Sequence, residues 1–600
     1  MKDNIIVLHA RDVKKAMPKA AHKPFAWLYL GRDINQRESI SQVLGEKNRY
    51  LVGDLLQKVA HKEKQPFLDF IAELGLHQGN KLHWWASNIA YKNPLASNLF
   101  LLWCYAAVFK RVHSEKKWDK ENQLLVFVGD RWLYRYLWQY YQGNGNGFIF
   151  LSRKSIIPEL LKLMIRGIAS KGYFLLKTGW QVWYEKGVVS KNKISNLDSD
   201  KESVYIYSWI RDRFFKTNGE FENPYFGRLP WFINNSGLNV IHVAGTFLTP
   251  AMKSKCLNQG ELKFIFLDRY INLWSMARSF FPIFSISSFT SSSLKILLLR
   301  EMIHEFSSFA RNKLEYFAFK GFLKELNEKK VTIIYLFENQ PWERMLCLAA
   351  KESDKNIKLI GYQHATVPLT LLNYFPGTGE SSNMPLPHLI VTNGEHTLNL
   401  LKNAGYGETE LVNGGALRYE YIHNIDKSPV RKDETLKTIL VAMAYSRNLT
   451  EELLISLFNA FKDLTGVRFV MKFHPEVPLE RLRIQLPPWP AHFQKTDRPL
   501  SEILKEVDLV IYSSSTVGLE ALLNGVLVVR YYSEHIIDLD PLDTFDEGAV
   551  KSCSGDNLKQ SVLSALNERS NYPTQQSTLN SILNNTFSPV NEDVWRQTLR

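Results

Sequence analysis

Cysteine is scarce in this chain: four in 600 residues, at Cys104, Cys256, Cys347 and Cys553. No two have the paired spacing of a zinc site or a disulfide framework, so a reducing, cytoplasmic setting is expected. Long apolar runs are missing too. The opening stretch MKDNIIVLHARDVKKAMPK has too short an apolar run for a signal peptide, and Ile5 to Leu8 reads instead as a first strand. The stretch from Phe264 to Phe289 is rich in Phe, Ile and Leu, but Asp268, Arg269 and Arg278 interrupt it. That excludes a spanning helix and leaves open a peripheral contact with the inner membrane. There is no internal repeat, and no low-complexity tract beyond SSFTSSS at 287–293. No DxD motif stands where it would hold a metal-bound diphosphate: DLDPLD (538–543) falls past the nucleotide strands and reads as a loop with solvated carboxylates. The formal charge of +14 is scattered, and there is neither an aromatic-basic RNA motif nor a helix-turn-helix signature. Nucleic acid is therefore not an expected partner, and a non-catalytic protein binding nucleic acid or an anionic surface is supported by the charge alone.

What is present describes a globular α/β protein too long for one core, with 45% hydrophobic and 13% aromatic residues. From Pro387 onward, strand-like runs (HLIVTN, TLKTILVAMA, VRFVMKF, DLVIYSSS) alternate with amphipathic helical patterns, the signature of βαβ units and a parallel sheet. Earlier strand candidates are LLVFVG (124–129), GFIFL (147–151), SVYIYSW (203–209), NVIHVAG (239–245), TIIYLFEN (332–339) and IKLIGYQ (357–363), with long helical insertions. The Gly, Pro, Ser and Asn-rich stretch at 372–387 reads as a linker between domains at 1–385 and 386–600. Two such domains would form a cleft between two sets of strand ends, where ligands of parallel sheets sit.

Several residues fall at those ends. RFVMKF runs into HPE, placing Lys472, His474 and Pro475 at a carboxyl end, with Pro475 restricting His474 to an extended backbone. Ser513, Ser514, Ser515 and Thr516 stand where the next strand passes into a helix ending near Gly525. Such a cluster either caps the helix or, together with His474 and Lys472, holds a phosphate or diphosphate. Glu520 and Asp497 could reach a ribose hydroxyl, while Gly394 with Glu395 and Gly414 with Gly415 could admit a nucleotide or the opposite domain close to the backbone. In the first part of the chain Glu338 ends a strand, with Pro341 opening the next helix and Glu343 expected to be solvated along it. Glu338 either serves as a general base or caps its own helix at Trp342 or Glu343. His364 ends the following strand beside it, and Asp130 is a third candidate base or an N-cap.

The paired motifs KFHPE (472–476) and YSSSTVGLEAL (512–522) resemble those of bacterial two-domain GT-B glycosyltransferases that use CMP-activated sugars, of the sialyltransferase and Kdo-transferase type. The resemblance implies two Rossmann-like domains facing each other across a cleft, CMP phosphate held by the His and the serines, and a CMP-sugar as co-substrate with no bound metal or cofactor. LFENQPWERMLCLAA (336–350), IGYQHATVPLTLLNYF (360–375) and IVLHARD near the N-terminus resemble a family of bacterial surface-carbohydrate biosynthesis proteins. That implies a lipopolysaccharide, O-antigen or capsule glycan, free or lipid-linked, as acceptor. The alternative is a CDP-alditol phosphotransferase of teichoic-acid type, with His364 as base. Such enzymes show Gly-Thr after that His, where this chain has Ala365 and Thr366.

Overall fold

The computed structural model describes residues 5–600 except 21–22, 79–80, 116–117, 119–121, 143–147, 185–201, 281–293, 305, 327, 329, 407–408, 425–435, 545–549 and 568–583. The serine tract at 287–293 and the end of the apolar stretch lie outside the described residues. Three parallel sheets follow one another along the chain. The first has the order β2-β3-β1-β4, from β1 (Ile5–His9), β2 (Phe25–Leu30), β3 (Gln123–Val128) and β4 (Phe148–Phe150). The second has the order β11-β10-β9-β8-β5-β6-β7, from β5 (Ser203–Ser208), β6 (Asn239–Ala244), β7 (Lys263–Phe266), β8 (Lys330–Leu336), β9 (Asn356–Gln363), β10 (Leu389–Thr392) and β11 (Glu410–Asn413). The third has the order β14-β13-β12-β15-β16-β17, from β12 (Lys437–Ala442), β13 (Val467–Lys472), β14 (Phe493–Lys495), β15 (Leu509–Tyr512), β16 (Leu527–Tyr531) and β17 (Lys551–Cys553). Central strands such as IIVLH, SVYIYS and LVIY are buried along their whole length, as strands covered by helices on both faces must be.

In the third sheet the chain winds outward in one direction through β12, β13 and β14, then restarts on the other side of β12 with β15, β16 and β17. The second sheet does the same about β5 and β8. The crevice where the winding reverses is where parallel sheets receive ligands. It lies between the ends of β5 and β8 in one sheet and between those of β12 and β15 in the other.

The α/β class and the facing Rossmann-like sheets agree with the sequence reading, while their number and boundaries differ. The N-terminal part holds two sheets, which share a single hydrophobic core running from Val7 and Leu28 to Tyr207 and Ile333 through the helices between them. Residue 386 does not divide the sheets: β10 pairs with β9 from Leu389↔Ile360 to Thr392↔Gln363, so the change of sheet falls between Asn413 and Lys437. The Gly/Pro-rich stretch before it is a well-packed crossover, with Leu372, Asn373 and Tyr374 buried. Strand β7 and the 3-10 turn Leu267–Tyr270 occupy the start of the apolar stretch read as a membrane contact, and Asp268 is buried there against Lys253 at 2.9 Å.

After the third sheet the chain returns to the second. The helix Glu592–Leu599 packs Trp595 and Leu599 against Ile206, Ile360 and Val391, and the Trp595 indole donates to the Gly414 carbonyl at 3.0 Å. Truncating that indole leaves a large void at the joint, so Trp595→Ala is expected to cost about 3–5 kcal/mol in chemical denaturation. A loss below about 1 kcal/mol would show that the return helix does not fasten the two sheets.

Candidate functional site

The loop after β8 is fixed by a buried carboxylate. Gln340 is the extended residue before the helix Pro341–Lys351, with proline as its first residue, which needs no N–H there. From one turn inside, Glu343 reaches back and accepts the N–H of Glu338 at 3.0 Å and of Asn339 at 2.8 Å. Glu343 is thus buried and not solvated, and burial pushes its carboxyl well up. Asn339 takes a left-handed φ of 52°, held by its side-chain N–H to the Asn373 carbonyl at 2.7 Å and by the Arg344 guanidinium at 3.1 Å. With Glu343 supplying the cap, Glu338 does not cap its own helix. Its carboxylate receives the Gln340 amide and lies 3.5 Å from His364 Nε2. About 33% of the Glu338 side chain remains open, yet the surrounding walls raise its carboxyl pKa against the pull of Arg418. His364 is buried, and desolvation helped by Arg418 lowers its pKa to about 3. Its Nδ1 has no hydrogen-bond partner among the described residues.

Tyr225 links this pair to the opposite rim. Its ring meets the His364 ring edge-on at 4.8 Å and carries the Arg418 guanidinium at 5.0 Å and that of Arg213 at 5.6 Å. Arg418 lies equally over Tyr419, and among the described residues neither arginine forms an ion pair. Two cations on aromatic faces without carboxylate partners make an anion-attracting wall. The charge of Arg213 acts on His474 across the cleft, and Arg211 is paired with Glu476 at 3.5 Å, so β5's loop and the His-Pro turn face each other.

On the third sheet's rim, His474 accepts the Glu476 N–H at Nδ1 at 3.1 Å, which places the neutral ring's proton on Nε2 as a donor. Burial lowers its pKa, so that neutral form dominates. Tyr445, exposed on the loop after β12, meets the His474 ring at 5.2 Å. Pro475 follows in an exposed turn closed by Val477 N–H to the His474 carbonyl at 2.9 Å.

The four hydroxyls do not form one crown. Ser513 is buried and its Oγ lacks a partner among the described residues. Ser514, at a left-handed φ of 46°, donates to Asp538 at 2.8 Å. Ser515 receives the Val517 N–H at 3.3 Å, and Thr516 precedes the short helix Val517–Leu523 without capping it. Ser515 and Thr516 therefore remain at the cleft, beside Glu520, whose carboxyl is raised by burial and drawn down by Arg418.

Other candidates are placed elsewhere. The Lys472 amine donates to the Arg498 carbonyl at 2.5 Å, toward β14 and away from the serines, which lie two strands off. Asp497 is exposed in the same outer loop. Gly394 and Gly414 receive the returning chain and not a nucleotide: a Cβ at Gly394 would stand 2.4 Å from the Asn585 and Thr586 carbonyls, and one at Gly414 3.1 Å from the Trp595 indole nitrogen. Gly415, at φ 84°, meets the Pro589 carbonyl in the same way. Asp130 is an N-cap, accepting the Trp132 N–H at 2.8 Å and pairing with Arg300 at 3.2 Å. It lines a separate cavity of about 260 Å³ between the first sheet's rim and the helix Arg447–Phe461. The DLDPLD carboxylates are not solvated: Asp538 and Asp540 are buried, and Asp538 N–H and Ile536 carbonyl dock on Gln57 at 2.9 Å each. No cluster suited to a metal ion occurs among the described residues.

Sequence reasoning missed Arg213, Tyr225, Arg418 and Tyr445. Only Arg418, three residues after Gly415, carried a local signal, because that glycine pair marked a tight approach.

The burial of His364 has a consequence for acid stability. Its folded pKa, lowered to about 3, lies below the unfolded value of about 6.5, so the folded state refuses a proton that the unfolded chain accepts. Its contribution is complete above about pH 6.5 and is lost as pH falls toward 3. His364→Asn is expected to flatten the fall of melting temperature over that range, and an unchanged slope would place its imidazole in solvent.

No family model matches this chain, and no curated protein sequence matches it. Solved structures of similar form include the calicheamicin glycosyltransferase CalG4, at 13% identity and TM-score 0.39 over 66% of this chain and 98% of that one. They also include the spinosyn rhamnosyltransferase SpnG, at 13% identity and TM-score 0.36 over 66% of this chain and 100% of that one. A third is the UDP-GlcNAc 2-epimerase from Neisseria meningitidis bound to UDP-GlcNAc, at 11% identity and TM-score 0.38 over 66% of this chain and 99% of that one.

Proposed function

We propose that this protein is a glycosyltransferase that moves a 3-deoxy-ulosonic or nonulosonic sugar from a CMP-linked donor to a hydroxyl of a surface glycan, with inversion at the anomeric carbon. The observation that carries the reading is the freed carboxylate of Glu338. It stands at the crevice of the second sheet, positioned by Glu343 and Asn339, and it is linked toward His474 through His364, Tyr225 and Arg213. Its raised pKa makes it a better proton acceptor than an ordinary carboxylate. In this reading Glu338 removes the proton as the acceptor oxygen attacks the anomeric carbon, and the bond to the CMP phosphate breaks. His474 Nε2, Ser515, Thr516, Arg213 and Arg418 hold the phosphate charge that develops, and Tyr445 offers a face to the base. Lys472, Ser514, Gly394, Gly414 and Asp497 take no direct part. Burial weakens His364 as a base, which favours Glu338 over the CDP-alditol phosphotransferase alternative, and at 3.5 Å from the carboxylate the imidazole serves to orient it.

Among CMP, CDP, UDP and GDP, CMP should raise the melting temperature most, because stabilisation grows with concentration over affinity. A clear preference for UDP or GDP would contradict the donor assignment. Activity should persist in chelator, and a strict need for Mg2+ or Mn2+ would count against phosphate stabilisation by side chains alone.

Glu338→Gln should lower turnover by roughly two to four orders of magnitude with CMP affinity nearly intact, whereas Arg418→Ala should weaken CMP binding by about tenfold or more. If His364→Asn costs more turnover than Glu338→Gln, the base is the histidine and the phosphotransferase returns.

A further inference from the structure

The helix Ile157–Tyr184 supplies none of the residues placed in the cleft, and among the described residues its surface carries the densest group of exposed apolar side chains. Nine of the 23 exposed large hydrophobic residues among those described lie on it, including Ile165 (66% exposed), Ile168 (67%), Leu176 (76%) and Trp183 (72%). At 3.6 residues per turn these positions fill an arc of about 180°. The opposite side, through Phe174, Thr178, Gln181 and Val182, is buried on the body. Nothing covers the open side within the described chain: a Cβ added at Gly172 or Gly179 meets no atom within 4 Å.

Along the edge of the apolar arc stand Lys162, Arg166 and Lys177, all exposed, and among the described residues none of them forms an ion pair. The single acidic residue, Glu159, is taken up by Arg131 at 2.9 Å. The packed neighbour Leu273–Phe280 adds the exposed Leu273 and Trp274 with Arg278 beside them. No helix of the described residues is long and apolar enough to cross a membrane.

We propose that this helix docks the protein on an anionic lipid surface, lying in the headgroup plane with Ile165, Ile168, Leu176 and Trp183 in the acyl boundary. Apolar residues on one arc, basic residues at its margin and tryptophan at the interface are what such a surface selects. A second copy of the same face would set Lys162, Arg166 and Lys177 against like charges with no free carboxylate to answer them, which disfavours self-association. The proposal stands apart from the donor reading: the buried side of the helix packs on the loops after β6 and β7, through Phe174 on Phe247 and Gln181 on Asp268 at 2.9 Å, while the docking face is the opposite one and holds none of the residues placed in the cleft.

The test is flotation of the full chain with vesicles of phosphatidylcholine alone or mixed with phosphatidylglycerol. Binding is expected to the mixed vesicles, and to weaken in high salt. Lys162→Gln, Arg166→Gln and Lys177→Gln combined should lower the partition about a hundredfold. Ile168→Gln, Leu176→Gln and Trp183→Gln combined should abolish it with an unchanged melting temperature, while Trp231→Gln, exposed elsewhere, should bind as the parent does. Equal flotation with both vesicles, parental flotation of the apolar triple variant, or a dimer that this variant converts to monomer would each overturn the proposal.

Discussion

The carboxylate of Glu343 governs the geometry of the cleft. Two backbone N–H groups at the end of β8 would otherwise be left without partners beside a buried helix start, and Glu343 satisfies both from inside that helix. The price is a carboxyl held far from solvent, offset by those bonds and by the locked Asn339 turn. Because Glu343 closes the helix, Glu338 is free to face the cleft, where Gln340 and His364 set its direction. Removing Glu343 would therefore disturb the site through its backbone before any reacting group was touched.

The rest of the cleft is electrostatic. Arg213 and Arg418 share Tyr225, and both project unpaired positive charge toward His474 and Glu520. Such a wall suits an anionic ligand, and it adds to the burial that keeps His364 and His474 neutral. Neutral His474 still donates from Nε2, so the cleft can bind a phosphate without a titration step at neutral pH. The carboxylates of Asp538 and Asp540, which sequence alone set in solvent, instead brace Ser514 and Tyr512 from behind.

The strand content was legible because apolar runs such as LLVFV, SVYIYS and LVIY are buried on both faces and bounded by Gly, Ser or Pro. Which sheet a strand joins was not. HLIVTN has the same pattern whether it pairs with β9 or opens a new sheet, and only β10's register on Leu359 to Gln363 decides it. Glu338, His364 and His474 could be placed at the sheet rims from sequence because each follows the end of a strand. Arg213, Tyr225 and Tyr445 sit in loops whose position depends on how two sheets face each other, which no local pattern carries. The glycines at 394 and 414 left open a nucleotide or the opposite domain as what comes close to the backbone, and the chain that does so is the C-terminal segment around Thr586 and Trp595.

The account stands or falls on where a nucleotide settles. Hydrogen exchange of the full chain with and without CMP reads this directly, since bound ligand slows the opening of the amides around it. Protection is predicted at 443–446, 473–477, 514–518 and 416–421 together, with the first sheet unchanged. Protection confined to the first sheet's side of the other cavity, around Arg32, Asp130 and Arg300, would contradict it and would move the nucleotide to that sheet's rim.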